Sequence, residues 1–178
     1  MTLDVNKLHF IDEFGIYTDM SRDYARAPKG ARAEVTEPFH IDSKVSVIGA
    51  LSMRRLGATM TVEGAVDGAV FTEYVKQVLR PELGDGDIVL MDNIKFHHNP
   101  NTIQLIESTG ARVIHLPAYS PDFNPIEECI SKLKNAIRQA KPGTRRKLEN
   151  ELKRAINSIT SQDICNWFTH SGYTCSFN

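Results

Sequence analysis

The stretch that decides the fold reads VLMDNIKFHHN at residues 89–99 and RVIHLPAYSPDFNPIEECISKLK at residues 112–134. It places Asp92 directly after an apolar run and Glu127 at the start of a helical pattern, with 34 residues between them. A second apolar run, LHFIDEFGIY at residues 8–17, carries Asp12. Mg²⁺ prefers hard oxygen ligands, and a pair of such ions clamps the attacking and leaving oxygens of an in-line displacement. Three carboxylates on two strands and a helix therefore predict a two-metal site for phosphodiester cleavage.

Alternating and apolar runs predict the strands around these residues. The expected strands are Leu8–Tyr17, Lys44–Ser52, Ala58–Glu63, Ile88–Met91 and Arg112–Leu116. The second and third are expected to form a hairpin that turns at Arg54–Gly57. The wholly apolar run Ile88–Met91 is typical of a strand covered on both faces.

Helical spacing and capping residues predict the helices. The first is expected at Asp67–Leu79 with Asp67 as its cap. The second is expected at Asn101–Thr109, with Asn99 or Asn101 as its cap and Gly110 as its stop. The third is expected to be capped by Asn124, to have Pro125 at its first position and to end before Pro142-Gly143. Two more are expected at Thr144–Ile159 and Gln162–Thr169. Residues 18–42 and 117–125 are expected to be loops, the former with room for one short strand.

The order of these elements predicts an α/β fold, with a mixed five-stranded sheet and helices on both faces. In such sheets, functional sites lie at strand ends near a topological switch point. Asp12 and Asp92 would meet there if their strands are neighbours. Glu127 would approach them from the first turn of its helix.

Each of these acids also has a structural explanation. A carboxylate after an apolar strand, such as Asp92, is costly unless a metal, a helix cap or a salt bridge compensates it. An acid in the first turn of a helix, such as Glu127, suits the helix dipole without any catalytic role. Glu13 and Glu128 stand beside two of the acids, so the residue pattern alone leaves their register open.

Five short sequence motifs resemble those of the catalytic domain of the mariner-like superfamily of DDE transposases, in particular its bacterial insertion-sequence branch. They are FIDEFG at 10–15, RAPKG at 26–30, MDNIKFHH at 91–98, LPAYSPDFNPIE at 116–127 and WFTHSGY at 167–173. The resemblance implies a ribonuclease-H-like fold, DNA-end cleavage and strand transfer, and two Mg²⁺ ions with Mn²⁺ as a substitute. It also implies that the catalytic and metal-binding triad is Asp12, Asp92 and Glu127, the first acid of each adjacent pair.

The resemblance has further implications for partners and domain organisation. We expect transposon ends and a target, by resemblance at TA, as DNA partners, a homodimer on DNA, and a cytoplasmic, nucleoid-associated bacterial protein. Residues 1–178 are expected to form a single catalytic domain. Since Asp12 lies so early, helix-turn-helix domains for end recognition are expected to be missing or supplied separately, as in an excised domain, a split transposase or a relic.

The net charge of −1 is weak for a DNA-binding protein, but the charge is unevenly distributed. From Lys132 to Arg154 there are nine Lys or Arg and two Glu, a net charge of +7. Such a basic stripe can neutralise phosphates without reading sequence, although a solvated helix face is the alternative. The candidate DNA-binding residues are Lys132, Lys134, Arg138, Lys141, Arg145, Arg146 and Lys147.

Composition places the chain among ordinary soluble globular domains, with 41% hydrophobic and 24% charged residues. No apolar run approaches the roughly 20 residues of a membrane span, so no membrane partner is expected. The cysteines, Cys129, Cys165 and Cys175, lack metal-ligand spacing. They are expected to be reduced, buried thiols of a cytosolic protein.

Several polar and aromatic residues near the acids have two interpretations. His97 and His98 follow Asp92 and its neighbour Asn93 closely, so one could contact a phosphate or a metal-bound water, although a satisfied structural histidine is the simpler interpretation. Tyr119 and Phe123 either pack under their loop or touch DNA. No covalent protein–DNA intermediate is needed, so Tyr119, Ser120 and Tyr173 are interpreted as structural or substrate-contacting.

Three functions are compatible with these patterns. The first is a metal-dependent nuclease and strand transferase. The second is a DNA-binding or interaction module that has lost catalysis, which the intact triad disfavours. The third is a nuclease of the same fold that does not transpose.

Overall fold

The computed structural model describes residues 4–20, 44–117 and 121–175. Its strands are β1 (Leu8–Ile16), β2 (Val45–Leu51), β3 (Leu56–Glu63), β4 (Ile88–Met91) and β5 (Arg112–His115). Its α-helices are α1 (Gly68–Tyr74), α2 (Pro100–Glu107), α3 (Ile126–Ala140), α4 (Arg145–Asn157) and α5 (Ser161–His170). All five predicted strands and all five predicted helices are present, with ends shifted by a few residues. The described residues do not include most of the predicted loop at 18–42 with its RAPKG motif, nor Tyr119 and Ser120.

The five strands form one mixed sheet in the order β3-β2-β1-β4-β5. β1 is antiparallel to β2 and parallel to β4, and β4 is parallel to β5. The predicted mixed five-stranded sheet is therefore confirmed. β1 and β4 are neighbours, and Ile11 of β1 pairs with Met91, the last residue of β4. Asp12 and Asp92 directly follow these two paired residues.

Helices cover both faces of the sheet, as predicted, and side-chain alternation along β1 separates two cores. Leu8, Phe10, Phe14 and Ile16 pack with the apolar residues of α3, α4 and α5. Ile11 points the other way and packs with α1 and with Ile106 of α2. Even-numbered residues of β1 therefore face the α3 side, and odd-numbered residues face the α1 side.

The predicted helix Asp67–Leu79 is only partly α-helical. Asp67 caps it as expected, accepting hydrogen bonds from the backbone N–H groups of Ala69 and Val70. The α-helix ends at Tyr74, and a π-helical turn follows at Val75–Leu79. Pro81 lacks an N–H group and crowds the carbonyl four residues before it, so a regular helix cannot continue to this point.

Two further local predictions are wrong. The β2–β3 turn lies earlier than Arg54–Gly57, since the Ser52 N–H donates to the Arg55 carbonyl at 3.0 Å and Leu56 already belongs to β3. The Asn124 side chain does not cap α3, because the chain reaches helical geometry at Pro125 and makes no side-chain cap bond there. The Asn124 backbone carbonyl instead accepts a hydrogen bond from the Glu127 N–H at 3.1 Å.

The prediction of three reduced thiols is wrong for two of the cysteines. Cys165 of α5 and Cys175 form a disulfide, with Cα atoms 5.7 Å apart. That separation is usual for a disulfide, and the turn after α5 brings the two residues together despite their distance in sequence. Cys129 is a free, buried thiol, as expected, and burial raises its pKa to about 12.

Candidate active site

Asp12 lies in the middle of β1, between β2 and β4, and its even number places it on the α3 side of the sheet. Its Oδ1 accepts a hydrogen bond from the Glu13 N–H at 2.7 Å. Burial and, after it, the negative charge of Glu127 raise the pKa of its carboxyl to about 7, while the charges of Glu13 and Asp92 raise it less and the hydrogen bond from the Glu13 N–H lowers it. A carboxyl group in this position holds a proton near neutral pH, and a bound cation would favour its release.

Glu127 lies in the first turn of α3 and is exposed. The apolar face of α3 holds it there: Ile126, Ile130, Leu133 and Ile137 are all buried against the sheet, as their helical spacing predicts. The charge of Glu127 acts on Asp12. The helix therefore brings its first acid towards the strand that carries Asp12.

Asp92 is the first residue after β4, and its side chain is 43% exposed. Its charge also contributes to the raised pKa of Asp12. Two strands and a helix thus bring the three predicted acids into one electrostatic neighbourhood. Within residues 4–20, 44–117 and 121–175, however, no three ligand side chains are already arranged for a metal ion. Like-charged carboxylates repel one another, so three acids without a cation are not expected to close up.

The acids beside Asp12 and Glu127 are engaged elsewhere. Glu13 has an odd number, faces the α1 side and contacts His97 Nε2 with its Oε1 at 3.0 Å. Glu128 pairs with His170 at the end of α5. Glu13 and Glu128 therefore have histidine partners of their own, and the assignment of the first acid of each pair to the site stays a prediction.

His97 is fully buried and connects two parts of the site. Its Nδ1 lies 2.6 Å from Asp92 Oδ1, and its Nε2 lies 3.0 Å from Glu13 Oε1. Burial alone would lower the pKa of the imidazole, but its bonds to Asp92 and Glu13 prevail and raise the pKa to about 9. Of the two interpretations predicted for His97, a satisfied structural histidine or a contact of a phosphate or metal-bound water, its burial and its two partners fit the first. The link to Glu13 was not predicted, because the two residues are 84 positions apart.

A second pair of histidines lies next to Asp92. His98 hydrogen-bonds to Asn93 and stacks on His115 of β5, with ring centroids 4.0 Å apart. His115 Nε2 also lies 3.2 Å from the His97 backbone oxygen. His115 was not among the predicted site residues, although its place at the carboxyl end of a parallel strand could have indicated it.

Of the predicted aromatic residues, Tyr173 has a structural environment. Its ring packs against Phe10 and Phe168, and its hydroxyl donates to the Phe123 backbone carbonyl at 3.0 Å. Phe123 itself is 53% exposed, so packing under its loop does not explain its side chain. It remains a candidate contact for DNA.

The basic residues predicted to bind DNA differ in their surroundings. Lys132 pairs with Asp163 at 2.6 Å, and Arg145 pairs with both Glu63 and Glu149. Lys134 and Arg138 lie seven and eleven residues after Glu127, so they share its face of α3. Arg146, Lys147 and Lys141 are exposed, and none of them pairs with a carboxylate of the described residues. Across the described residues, no helix combines the length and the apolar character needed to cross a bilayer.

Solved structures support the fold. The Mos1 mariner paired-end complex with Mn matches 93% of this chain and 52% of that chain with a TM-score of 0.77, at 15% identity. The catalytic domain of Mos1 mariner transposase matches 93% of this chain and 76% of that one with a TM-score of 0.71, at 13% identity. The expected ribonuclease-H-like architecture is therefore confirmed.

Sequence comparison shows the family of the chain. The Tcb1 transposase of a transposable element in Caenorhabditis briggsae is 23% identical over 155 residues, covering 83% of this chain and 57% of that protein. The chain thus spans little more than half the length of this relative. The sequence model of the DDE superfamily endonucleases matches residues 7–149, which include Asp12, Asp92 and Glu127. The chain belongs to the DDE superfamily endonuclease family.

Proposed function

We propose that this chain is the catalytic domain of a DNA transposase that cuts transposon ends and joins them to a target. The observation that carries the proposal is geometric: Asp12 and Asp92 directly follow the paired residues Ile11 and Met91 of neighbouring strands, and Glu127 lies in the first turn of α3, which packs on β1. The resemblance of the motifs that carry these acids to those of DDE transposases, and the family membership of the chain, support the same assignment. In this proposal Asp12, Asp92 and Glu127 are the catalytic and metal-binding residues.

The donor set suits Mg²⁺ or Mn²⁺, because all three side chains offer hard carboxylate oxygens. Burial and the charge of Glu127 raise the pKa of Asp12, and a bound cation would favour its ionised form. A bound pair of divalent ions would activate the attacking hydroxyl and stabilise the leaving oxygen of the DNA. Mos1 structures with Mn and with Mg support the choice of these ions.

The residues of the chain have separate tasks in this mechanism. Asp12 is held by the central strand and by the Glu13 N–H, so it provides the fixed side of the site. Asp92 and Glu127 are partly or largely exposed, so they can approach from the strand end and the helix start. No nucleophilic side chain is required, which is consistent with the structural surroundings of Tyr173.

We propose that the basic stripe binds DNA. Within it, Lys134 and Arg138 lie on the same face of α3 as Glu127. A residue rise of about 1.5 Å puts Arg138 roughly 16 Å from Glu127 along the helix axis. Phosphates of a bound strand could therefore follow this face. Lys132 and Arg145 contribute less, since carboxylates already neutralise them.

Assembly on DNA is also part of the proposal. Mos1 has been solved as a paired-end complex and as a strand transfer complex, both with folds similar to this chain. We infer a homodimer that pairs two DNA ends, a TA target, helix-turn-helix domains outside residues 1–178 and a bacterial, nucleoid-associated setting.

The decisive experiment measures cleavage of a supercoiled plasmid with Mg²⁺ or Mn²⁺, for the wild type and Asp92→Asn. We expect metal-dependent nicking by the wild type that the variant loses. A wild type that binds DNA without cleaving it would favour the catalytically idle module. Cleavage without joining of the cut ends to a target, even with recognition domains supplied, would favour the non-transposing nuclease.

A further inference from the structure

His97 occupies a closed position directly after β4. It belongs to the 3₁₀ turn Lys95–His98, and its side chain is completely buried. Its ring packs 4.4 Å from the Phe71 ring and 4.8 Å from the Phe96 ring, measured between centroids. Aromatic contacts on two sides leave the imidazole little freedom to rotate. A buried imidazole in such a pocket needs hydrogen-bond partners for its nitrogens.

Both ring nitrogens have partners, one in the residue that follows β4 and one in β1. Nδ1 hydrogen-bonds to the backbone oxygen of Asp92 at 3.2 Å and makes an ion-pair contact of 2.6 Å with Asp92 Oδ1, a buried oxygen that has no other partner among the described residues. Nε2 lies 3.0 Å from Oε1 of Glu13, whose side chain is only 14% exposed. The ring therefore links the end of β4 to the centre of β1.

Asp92 needs such support more than Asp12 does. Asp12 is held within the central strand, whereas Asp92 lies beyond the last paired residue of β4. The terminal torsion angle of an Asp side chain has a broad range of allowed values, so a free carboxylate would sample many orientations. Holding one oxygen removes most of that freedom before a ligand arrives.

We infer that His97 is a positioning residue, which fixes the Asp92 carboxylate for divalent-metal binding while Glu13 anchors the far side of the ring. This inference rests on the proposed function of Asp92. It gives Glu13 a task distinct from that of its neighbour Asp12. Residues that orient a metal ligand in this way typically contribute about 10–100-fold in metal affinity or activity.

The test is calorimetric titration of the whole chain with Mn²⁺, comparing the wild type with two matched variants. His97→Asn keeps an amide donor near the position of Nδ1, next to Asp92. His97→Gln moves that donor towards Nε2 and Glu13. We expect His97→Gln to bind Mn²⁺ about 10–100-fold more weakly than the wild type and His97→Asn to lose less. Thermal unfolding without metal separates this effect from a purely structural one, which would lower the melting temperature of both variants without separating their metal affinities.

Asp92→Asn is the reference for loss of the site. Wild-type affinity in His97→Gln, with binding still lost in Asp92→Asn, would overturn the positioning role and leave the proposed function intact. A wild type without Asp92-dependent Mn²⁺ binding would overturn both. If the His97 variants do not fold, Glu13→Ala and Glu13→Gln decide. Both remove the charge that acts on Asp12, but only Glu13→Ala removes the oxygen that contacts His97. Glu13→Ala should bind Mn²⁺ more weakly than Glu13→Gln, and equal affinities of the two variants would overturn the inference.

Discussion

Glu13 and His97 meet at 3.0 Å on the side of the sheet opposite to Asp12. Because side chains alternate along a strand, two adjacent acids of β1 serve two different environments. Asp12 faces α3 and the charge of Glu127, whereas Glu13 faces the aromatic pocket around His97. The pair of acids that is ambiguous in the sequence is therefore distinguished by the pleat of the sheet.

This division predicts unequal effects of two neighbouring substitutions. Asp12→Asn removes a proposed metal ligand and should reduce DNA cleavage by at least about a hundredfold, since metal stabilisation of the reacting oxygens contributes several kcal/mol. Glu13→Gln keeps an oxygen that can accept from His97, so its loss should stay within about tenfold. Nicking rates at saturating Mn²⁺ measure both. A greater loss of cleavage in Glu13→Gln than in Asp12→Asn would mean that Glu13, and not Asp12, is the acid of the site.

A second prediction concerns the two glutamates of α3. Glu127→Gln should abolish cleavage, because it removes a proposed metal ligand. It should not lower stability, because Glu127 is exposed and makes no ion pair within the described residues. Glu128→Gln breaks the exposed contact with His170, which is expected to contribute at most about 1 kcal/mol to stability. Its cleavage rate should remain that of the wild type. Cleavage assays and urea unfolding of both variants provide the check, and loss of activity in Glu128→Gln would exchange the two assignments.

A third prediction follows from the pKa of Asp12, which burial and the charge of Glu127 raise from 3.8 to about 7. A pKa raised by folding means that the folded state holds a proton that the unfolded state has released. The stability contribution of Asp12 is therefore complete below about pH 4, declines as the pH rises towards 7, and is lost above it. Asp12→Asn should remove this decline, so the variant should melt at a higher temperature than the wild type at pH 8.

Metal binding should show the opposite dependence on pH. A divalent ion needs the ionised carboxylate, so Mn²⁺ affinity should increase between pH 6 and pH 8 with release of a proton. Calorimetry in two buffers of different ionisation enthalpy measures that proton. Affinity that does not change with pH would indicate that Asp12 takes no part in binding.

A fourth prediction concerns the basic stripe. Lys134→Gln and Arg138→Gln should each weaken DNA binding and reduce the slope of log affinity against log salt by roughly 0.9 if each contacts one phosphate. Lys76→Gln is the matched control, since Lys76 is an exposed lysine of the π-helical turn that packs on the other face of the sheet. Fluorescence anisotropy with duplexes of unrelated sequence measures the slopes. Equal slopes in all three variants would identify the face of α3 as merely solvated.

The sequence was sufficient to predict elements whose burial is periodic. The apolar faces of α3 and β1 and the wholly buried β4 follow from their spacing, because burial requires it. The π-helical turn at Val75–Leu79 could not be predicted, since its apolar spacing resembles that of an α-helix. The assignment of Asp12 over Glu13, the link from Glu13 to His97 and the disulfide between Cys165 and Cys175 all depend on which residues meet in space. Periodicity does not contain that information.

The last prediction is that this chain alone cuts DNA with poor specificity and does not transpose. Phosphate contacts from lysines and arginines position DNA without reading its sequence. Reading transposon ends requires elements that dock in a groove and reach base edges, and no such element was predicted within residues 1–178. We therefore expect the chain with Mn²⁺ to nick plasmids with and without terminal repeats at similar rates. Adding helix-turn-helix domains, fused or as a separate chain, should restrict cutting to the repeats and permit joining at TA. Precise cleavage of the repeat-bearing plasmid by the chain alone would instead show that end recognition resides in these 178 residues.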